Sequence, residues 1–366
     1  MRPVLLSPPR KIMSSPGSVH GYFGWPSLIR LKNGALAAAA SGFRIAHICP
    51  FGKAVLSFSH DEGETFSLPA PVIDTCLDDR DAGLCAFGKS GLIVTSFNNT
   101  VAFQRKCTPA VLGEPQILLN KNYVLSYLDL VTPEQEKEAL GSTFRVSFDN
   151  GITFGPLYHS PVTSPHGPIE LQNGSVLWVG AVFGADESVL RAYTLDPETG
   201  ETEFVGELGR VIADGVRALA CEPFTIELPD GTLLCHIRVE CMANGRRIYT
   251  IFQSVSHDGG RTWSESTQLL EDEGGAPDHL LLHSSGALIM TYTHRTDLFG
   301  IKLKISTDGG ESWEDCGWIY ENTVSKDLGY PETVELSDGS LLTVFYAREN
   351  ALSPAEIYIR KWKLEP

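Results

Sequence analysis

The sequence predicts an all-β protein, a six-bladed β-propeller with four-stranded antiparallel blades that forms a single domain over residues 1–366. Three observations lead to this prediction. A hairpin pattern recurs six times, an Asp-Gly turn motif recurs four times, and the chain contains 35 Gly and 22 Pro with few long charged runs. Turn-forming residues between short apolar runs favour many short strands over helices.

Each hairpin copy is an apolar strand, a tight turn ending in Gly and a second apolar strand, as in IRLKNGALAAAA and TVELSDGSLLTVF. Gly supplies the positive φ that such turns require. The turn glycines are Gly34, Gly91, Gly174, Gly231, Gly286 and Gly339. They are separated by 53 to 57 residues, apart from one interval of 83. This period is too long for a solenoid repeat and suits a four-stranded propeller blade.

The long interval indicates an insertion. Within it, Thr132–Ser142 (TPEQEKEALGS) is expected to be either a short surface helix or an irregular segment. At the end of the chain, the strand IYIRKWKL is expected to pair with N-terminal residues such as PVLL, which would close the ring and remove its free edges.

The turn motif has the form Ser-x-Asp-x-Gly-x-[Ser/Thr]-[Phe/Trp]. Its copies are Ser59–Phe66, Ser147–Phe154, Ser256–Trp263 and Ser306–Trp313. The Asp accepts backbone hydrogen bonds, the Gly takes a left-handed conformation and the aromatic ring packs on the blade, so we interpret the motif as structural. These are the Asp boxes of the sialidase superfamily, which the chain resembles over nearly its whole length. The resemblance implies a six-bladed propeller with each Asp box at an outer turn.

Composition restricts the class of partner. The net charge of −16 argues against a nucleic-acid or anionic-membrane partner, and no apolar run is long enough to span a membrane. The eight Cys form no CxxC pair and are interpreted as reduced thiols of a cytosolic protein. Cys and His do not cluster at the spacing of zinc ligands. We therefore expect a cytoplasmic protein with no metal and no cofactor, and a homo-oligomer stays possible.

The inner strand of each propeller blade lines a central funnel, so the residues eight or nine positions before each turn glycine are expected at one rim. These are Trp25, Ala82 with Asp81 beside it, His166, Glu222, Asp278 and Tyr330. Arg238 and Arg295 follow on returning strands and point to the same end. Ionisable groups that converge on one end of a funnel are expected for a small-molecule site.

The resemblance assigns roles to several of these residues. Sialidases use a Tyr nucleophile assisted by a Glu, an Asp acid/base and three Arg that bind the substrate carboxylate. Tyr330 in LGYPETVELSDG and Glu222 in CEPFTIELPDG match the Tyr and the Glu by their distance from the Asp-Gly turn. Arg238 matches the second Arg, and Arg295 suits the third. Because the anomeric carbon of a sialic acid bears a carboxylate, a nearly neutral Tyr oxygen attacks it better than an anion.

The sequence departs from the family at two positions. The first Arg of the family lies in an F-R-I-P motif, which here reads Phe23-Gly24-Trp25-Pro26, so that Gly24 replaces the Arg. The acid/base Asp of the family lies about a dozen residues before the first Asp box, where this chain has His47. An imidazole can donate and accept protons near neutral pH, so His47 is the candidate acid/base.

Further candidates for substrate binding surround these positions. Arg44 or Arg80 could replace the missing guanidinium, and Asp79 and Asp81 are spare carboxylates. His166 could bind substrate or only end a strand. Trp25 could stack on a sugar or fill the funnel. Each residue also has a purely structural interpretation, as a wall residue, a salt bridge or a solvated turn.

Three functions remain. The first is a sialidase-like exo-glycosidase that releases a terminal acidic sugar from a small glycan or glycoside, with Tyr330 as nucleophile, Glu222 as its base and His47 as acid. The second is a glycosidase or lyase for a uronic acid or another sugar on the same fold. The third is a carbohydrate-binding propeller without catalysis, because a fold does not imply a function.

Overall fold

In the computed structural model the chain forms a ring of antiparallel β-sheets with one helical insertion. The structure describes residues 2–111, 117–185, 187–243, 246–270, 275, 277–296 and 298–365. The strands of the first half are β1 (Arg2–Leu5), β2 (Arg10–Met13), β3 (Tyr22–Arg30), β4 (Leu36–Arg44), β5 (Lys53–Ser59), β6 (Ala70–Ile73), β7 (Leu84–Phe87), β8 (Gly91–Phe97), β9 (Ser142–Ser147), β10 (Tyr158–Ser160), β11 (Val162–Thr163), β12 (Ile169–Glu170), β13 (Val176–Val182) and β14 (Leu190–Leu195).

The strands of the second half are β15 (Thr202–Glu207), β16 (Ile212–Ala213), β17 (Val216–Arg217), β18 (Leu219–Glu227), β19 (Leu233–Ala243), β20 (Arg246–Ser256), β21 (Thr267–Gln268), β22 (Asp278–Leu282), β23 (Leu288–Thr296), β24 (Leu298–Ser306), β25 (Glu314–Tyr320), β26 (Gly329–Glu335), β27 (Leu341–Arg348) and β28 (Ala355–Glu365). The helices are α1 (Val101–Val111), α2 (Ile117–Leu128) and α3 (Pro133–Ala139). None of the helices in the described ranges is long and apolar enough to cross a membrane.

The sheets form six blades, which confirms the predicted propeller. Blade 1 comprises β3–β6, blade 2 comprises β7–β10, and blade 3 comprises β12–β15 with β11 added to β13. Blade 4 comprises β18–β21, blade 5 comprises β22–β25, and blade 6 comprises β26–β28 with β1. The first strand of each blade is innermost, and the small hairpin β16–β17 lies between blades 3 and 4.

The predicted ring closure is confirmed. Strand β1 pairs with β28 in antiparallel register, with Arg2 opposite Glu365 and Leu5 opposite Trp362. The outermost strand of blade 6 therefore comes from the start of the chain, and β2 adds a further short pairing to β28. Residues from the two ends of the sequence thus hold the last blade in the ring.

Buried apolar side chains lie between the blades. Six hydrophobic clusters occur among the described residues, and each joins two neighbouring blades. Between blades 1 and 6, for example, Phe23 and Leu28 pack with Val344 and Ile357, and all four are 2% exposed or less. Because both faces of a blade are covered, the central strands are apolar without alternation, as in the run Ala37–Ala40.

The Asp boxes lie at the outer turns between the third and fourth strands of blades 1, 2, 4 and 5, as predicted. In the first box, Asp61 Oδ1 accepts hydrogen bonds from the Ser59 hydroxyl at 2.7 Å and the Thr65 N–H at 2.8 Å. Bonds from Thr65 and Ser59 lower the pKa of Asp61 to about 2. Gly63 has φ +83°, and a Cβ there would lie 2.5 Å from Leu342 of blade 6. The box therefore fixes its own turn and packs against the neighbouring blade.

The long interval between turn glycines holds the helices α1–α3, inserted between β8 and β9. The segment whose conformation the sequence left open contains α3, which Thr132 caps together with Gln135. On α2, the rings of Tyr123 and Tyr127 each lie 4.8 Å from that of Phe51 in the loop 45–52 of blade 1. The insertion thus supports the loop that contains His47.

Candidate active site

Three inner strands contain the same backbone irregularity at the rim of the funnel. The register of β3, β18 and β26 with their neighbours shifts between Gly24 and Ser27, Cys221 and Phe224, and Gly329 and Glu332. Each shift contains a residue followed by Pro, namely Trp25, Glu222 or Tyr330, with φ of 52°, 48° and 52°. Pro is tolerated in a strand at a bulge, and bulges redirect side chains.

A left-handed conformation in a bulky residue before Pro is strained, and such strain is concentrated at functional sites. Asp81 of blade 2 adopts the same conformation, with φ 48°. Four blades therefore present one ionisable or aromatic side chain each by the same local geometry.

Tyr330, Glu222 and Arg238 form a compact cluster. The Tyr330 hydroxyl donates to Glu222 Oε1 at 2.7 Å. Arg238 Nη1 donates to Glu222 Oε2 at 2.6 Å and to the Tyr330 oxygen at 3.2 Å. On its other side the Arg238 guanidinium contacts Glu240, which Arg247 also binds. A phenol thus lies between a carboxylate that can take its proton and a guanidinium that can stabilise the resulting negative charge.

Electrostatics keep the Tyr330 phenol protonated at rest. Tyr330 is 4% exposed, and burial raises its pKa well above the usual range; the Glu222 carboxylate adds to this, while Arg238 opposes it. Asp81 is 5% exposed, and burial raises its pKa to about 7 despite the nearby Arg80. Its Oδ1 has no hydrogen-bond partner within the described ranges. Asp81 can therefore change its charge near neutral pH.

His47 lies beside this cluster. Its imidazole packs against the Trp25 indole with ring centres 4.8 Å apart, and the Tyr330 ring lies 6.5 Å from the same indole. His47 Nδ1 is 3.2 Å from Asp327 Oδ1 and 3.1 Å from the Tyr22 hydroxyl. Burial lowers the pKa of His47, and Arg80 adds to this, although the bond to Asp327 acts in the opposite direction. The side chain is 41% exposed, so His47 can exchange protons with the funnel.

Arg44 and Arg80 hold the backbone of the His47 loop. Arg44 is fully buried, with Nη1 2.6 Å from Asp78 Oδ1 and Nη2 donating to the His47 carbonyl at 2.9 Å. Arg80 Nη1 donates to the same carbonyl at 2.6 Å, and its guanidinium lies 4.2 Å from the centre of the Trp25 ring. Arg44 is thus enclosed by protein groups, whereas Arg80 is 8% exposed and lies nearer the funnel.

Asp79 and His166 are buried away from the opening. The Asp79 carboxylate accepts from the Thr75 N–H at 2.6 Å and the Thr75 hydroxyl at 2.9 Å, and burial raises its pKa to about 7. His166 is 0% exposed, with Nδ1 3.4 Å from Glu332. Both geometries favour the structural interpretation of these two residues over direct contact with a substrate.

The position of the missing Arg is filled by aromatic side chains. A Cβ on Gly24 would lie 3.2 Å from the Tyr22 ring and 3.7 Å from that of Tyr346. Trp25, next in the chain, is 2% exposed and packs against Tyr22, Tyr346 and Arg80. Trp25 therefore forms the floor of the funnel in this structure.

Arg295 lies near the end of β23, and its Nη2 donates to the Leu328 carbonyl at 2.7 Å. Leu328 precedes Tyr330 by two residues, so Arg295 lies beside the start of the strand that bears Tyr330. Asp278 is held by a neighbouring residue: its carboxylate contacts the imidazole of His236, and the Asp278 side chain is 3% exposed. The position of Arg295 agrees with the predicted place at the rim, whereas the Asp278 side chain is part of the packing between blades 4 and 5.

Four residues near the site were missed in the sequence: Tyr22, Asp327, Tyr346 and Arg348. A signal for two of them was present, because Tyr22 and Asp327 each lie three residues before a rim residue that precedes Pro, Trp25 and Tyr330 respectively. Asp81 of blade 2 precedes Ala82 instead of Pro, but a residue-Pro pair marks the rim in blades 1, 4 and 6. In blade 3 it selects Gly167, with φ +81°, instead of His166.

The ring of blades, the Asp boxes and the tyrosine cluster define a propeller of the sialidase type. The family model of the BNR repeat-like domain matches residues 124–343, and the chain belongs to this family. A search of curated proteins found no match.

Solved structures agree on the fold. A protein of unknown function from Dyadobacter fermentans superposes with a TM-score of 0.76 at 17% identity, over 99% of both chains. The intramolecular trans-sialidase of Ruminococcus gnavus, in complex with oseltamivir carboxylate, gives 0.65 at 16% identity, over 97% of this chain and 99% of that one. The NanB sialidase of Streptococcus pneumoniae gives 0.67 at 13% identity, over 99% of this chain and 71% of that one.

Proposed function

We propose that this protein is a sialidase-like exo-glycosidase that releases a terminal acidic sugar from a small glycan or glycoside. The observation that supports this proposal is the cluster in which Tyr330 donates to Glu222 while Arg238 contacts both. A binding protein has no need for a buried phenol held between a base and a guanidinium.

The proposed reaction has two displacements. The Tyr330 oxygen attacks the anomeric carbon as its proton passes to Glu222, and His47 protonates the departing glycosidic oxygen. In the second step His47 removes a proton from water, which attacks the glycosyl-tyrosine, and Glu222 returns its proton to the phenolate. Arg238 stabilises the negative charge on the phenolic oxygen in both steps.

The acidic group of the sugar would be bound by the arginines at the rim. Arg238, Arg80 and Arg295 come from blades 4, 2 and 5 and approach the funnel from different sides. Two of them already contact carboxylates, because Arg238 contacts Glu222 and Glu240 and Arg80 lies 3.4 Å from Asp78. These carboxylates offset part of the positive charge, so the site is less positively charged than three guanidinium groups alone would make it.

A second candidate function follows from Gly24. The Tyr22 and Tyr346 rings lie beside Gly24, so a carboxylate on the anomeric carbon would lack the Arg that the family has at this position. A uronic acid carries its carboxylate on C5, across the ring oxygen from the anomeric carbon, and does not need an Arg placed for a carboxylate on the anomeric carbon itself. This favours a uronide glycosidase or lyase as the alternative.

A panel of fluorogenic terminal glycosides tests the proposal. Release of sialic acid supports the first candidate, and release of a uronic acid with no turnover of sialosides supports the second. A product with a conjugated double bond absorbing in the ultraviolet would identify a lyase. If the whole panel binds without turnover, the protein is a carbohydrate-binding propeller and the proposal is wrong.

A further inference from the structure

Asp327 connects the candidate acid/base to the candidate nucleophile. It lies in the segment between β25 and β26, three residues before Tyr330 in the sequence. Its Oδ1 accepts from the Tyr22 hydroxyl at 2.9 Å and lies 3.2 Å from His47 Nδ1. Blade 6 therefore supplies both the phenol and a carboxylate that contacts the imidazole of blade 1.

The Asp327 carboxylate is itself held in place. Its Oδ2 accepts from Arg348 Nε at 3.0 Å and Arg348 Nη2 at 2.8 Å, and Arg348 is the last residue of β27. The side chain of Asp327 is 17% exposed and Tyr22 is 2% exposed. A carboxylate with all its bonds made by blades 1 and 6 has a fixed position, which allows it to orient an imidazole.

The hydrogen bonds determine which nitrogen of His47 faces the funnel. The Tyr22 hydroxyl has one proton, which it donates to Asp327, so its oxygen accepts from His47 Nδ1. Nδ1 then carries a proton that two oxygens share. Nε2 has no hydrogen-bond partner in the described part of the chain and is not among the buried unpaired atoms, so it is accessible.

We infer that Asp327, with Tyr22, is a positioning residue that holds one proton of His47 on Nδ1. The second proton of the imidazolium is then on Nε2, which gives it to the glycosidic oxygen and afterwards, in the neutral form, accepts a proton from water. This inference rests on the proposed glycosidase function. A carboxylate that orients an imidazole and stabilises its protonated form is an established device in catalysis by histidine.

Charged groups on every side of His47 affect its titration. Asp327 and the Tyr22 dipole favour the protonated imidazole, whereas the Arg80 and Arg44 guanidinium groups disfavour it. Arg348 acts through Asp327, whose pKa it holds low together with His47. Asp327→Asn removes the only one of these groups that bears a negative charge next to Nδ1, so the pKa of His47 should fall by about one unit or more.

The test uses the full chain labelled with ¹³C and ¹⁵N at its ten histidines, with His47→Gln to assign the signal. In Asp327→Asn, the pKa of His47 should fall, and its nitrogen shifts should show loss of the Nδ1-protonated tautomer. Tyr22→Phe should produce a smaller change in the same direction. The control is Glu349→Gln, which removes a 63% exposed carboxylate that contacts Lys11 and should leave His47 unchanged.

Kinetics provide the second measurement. On a glycoside that the parent protein cleaves, Asp327→Asn should move the alkaline limb of kcat/KM to lower pH by the same amount as the NMR shift and should lower kcat about 10²-fold, with a small change in KM. Thermal unfolding verifies that the variants are folded, and a lost hydrogen bond alone would not move the pH profile.

The outcomes separate this inference from the proposed function. If no glycoside is cleaved, the proposed function is wrong, while the NMR titration still decides whether Asp327 controls His47. If a glycoside is cleaved but neither the pKa of His47 nor the pH profile responds to Asp327→Asn, the inference is wrong and the proposed function stands.

Discussion

The outer turns and the inner rim of this propeller repeat in different ways. At the outer turns, four Asp boxes repeat the residues and their bonds together, since each Asp accepts from a Ser hydroxyl and from the N–H four residues later. At the inner rim, four blades repeat the backbone conformation while the side chain changes from Trp to Asp to Glu to Tyr. Constant residues thus serve the architecture, and the proposed reactive groups are variable residues on a constant backbone.

Substitutions at the rim should therefore reduce activity and leave stability almost unchanged. The largest effect is expected for Tyr330→Phe, which removes the nucleophilic oxygen and should lower kcat about 10³-fold or more on any glycoside that the parent cleaves. Tyr358→Phe is the matched control, because Tyr358 is a buried tyrosine on β28, the third strand of blade 6. Equal turnover by Tyr330→Phe and the parent would show that the nucleophile is wrongly assigned.

Glu222→Gln should follow, with kcat lowered about 10²-fold or more because the amide cannot take the phenol proton. The shape of the side chain is preserved, so the thermal midpoint should change little. Glu335→Gln, at the other end of the Tyr330 strand, is the control. Full activity of the Glu222→Gln variant at all pH values would mean that another group accepts the proton.

The Gly24→Arg variant tests whether one substitution restores the family's Arg at the rim and, with it, sialoside hydrolysis. We expect no gain in sialoside hydrolysis and a lower thermal midpoint, because the new side chain would collide with Tyr22 and Tyr346. Gly209→Arg is the control, since a Cβ there meets no atom within 4 Å. A large gain in sialidase activity from Gly24→Arg would show that the aromatic rings move aside and that the departure from the family has little effect.

The smallest effect is expected at an outer turn. Asp61→Ala removes the acceptor of three turn bonds and should lower the thermal midpoint by a few degrees without changing kcat or KM. The folded-state pKa of Asp61 is lowered to about 2, so its contribution is present above about pH 5 and is lost as the pH falls from about 4 to 2. The deficit of the variant should therefore disappear at low pH. Glu64→Ala, in the same turn, should show neither effect, and a loss of activity in Asp61→Ala would contradict the separation of roles.

The fold could be predicted because its signals are local. Each turn glycine and each Asp box determines a hairpin within about a dozen residues, and six hairpins with one regular period indicate a ring of blades. The closure was also predicted from the sequence, as a pairing of the last strand with apolar N-terminal residues, and β1 makes it. The helical insertion was visible as a gap in the period, but its contact with Phe51 depends on tertiary packing.

The site was harder to predict because its contacts join blades that are distant in sequence. The positions of Tyr330, Glu222 and Arg238 followed from the distance to a turn, and the structure brings the three together. Counting failed where the strand starts differ, and so it selected His166 and Asp278, which are enclosed by other protein groups. Asp327 is marked only by its place three residues before Tyr330, and its contact with His47 spans 280 residues.

The left-handed rim residues have a consequence for how such a protein changes over generations. Trp25, Asp81, Glu222 and Tyr330 are attached to a backbone whose shape does not depend on which side chain it bears. A mutation at one of them exchanges a reactive group while the strands and their pairing stay in place. The ring can therefore change the groups that its rim presents through a few single substitutions at these positions.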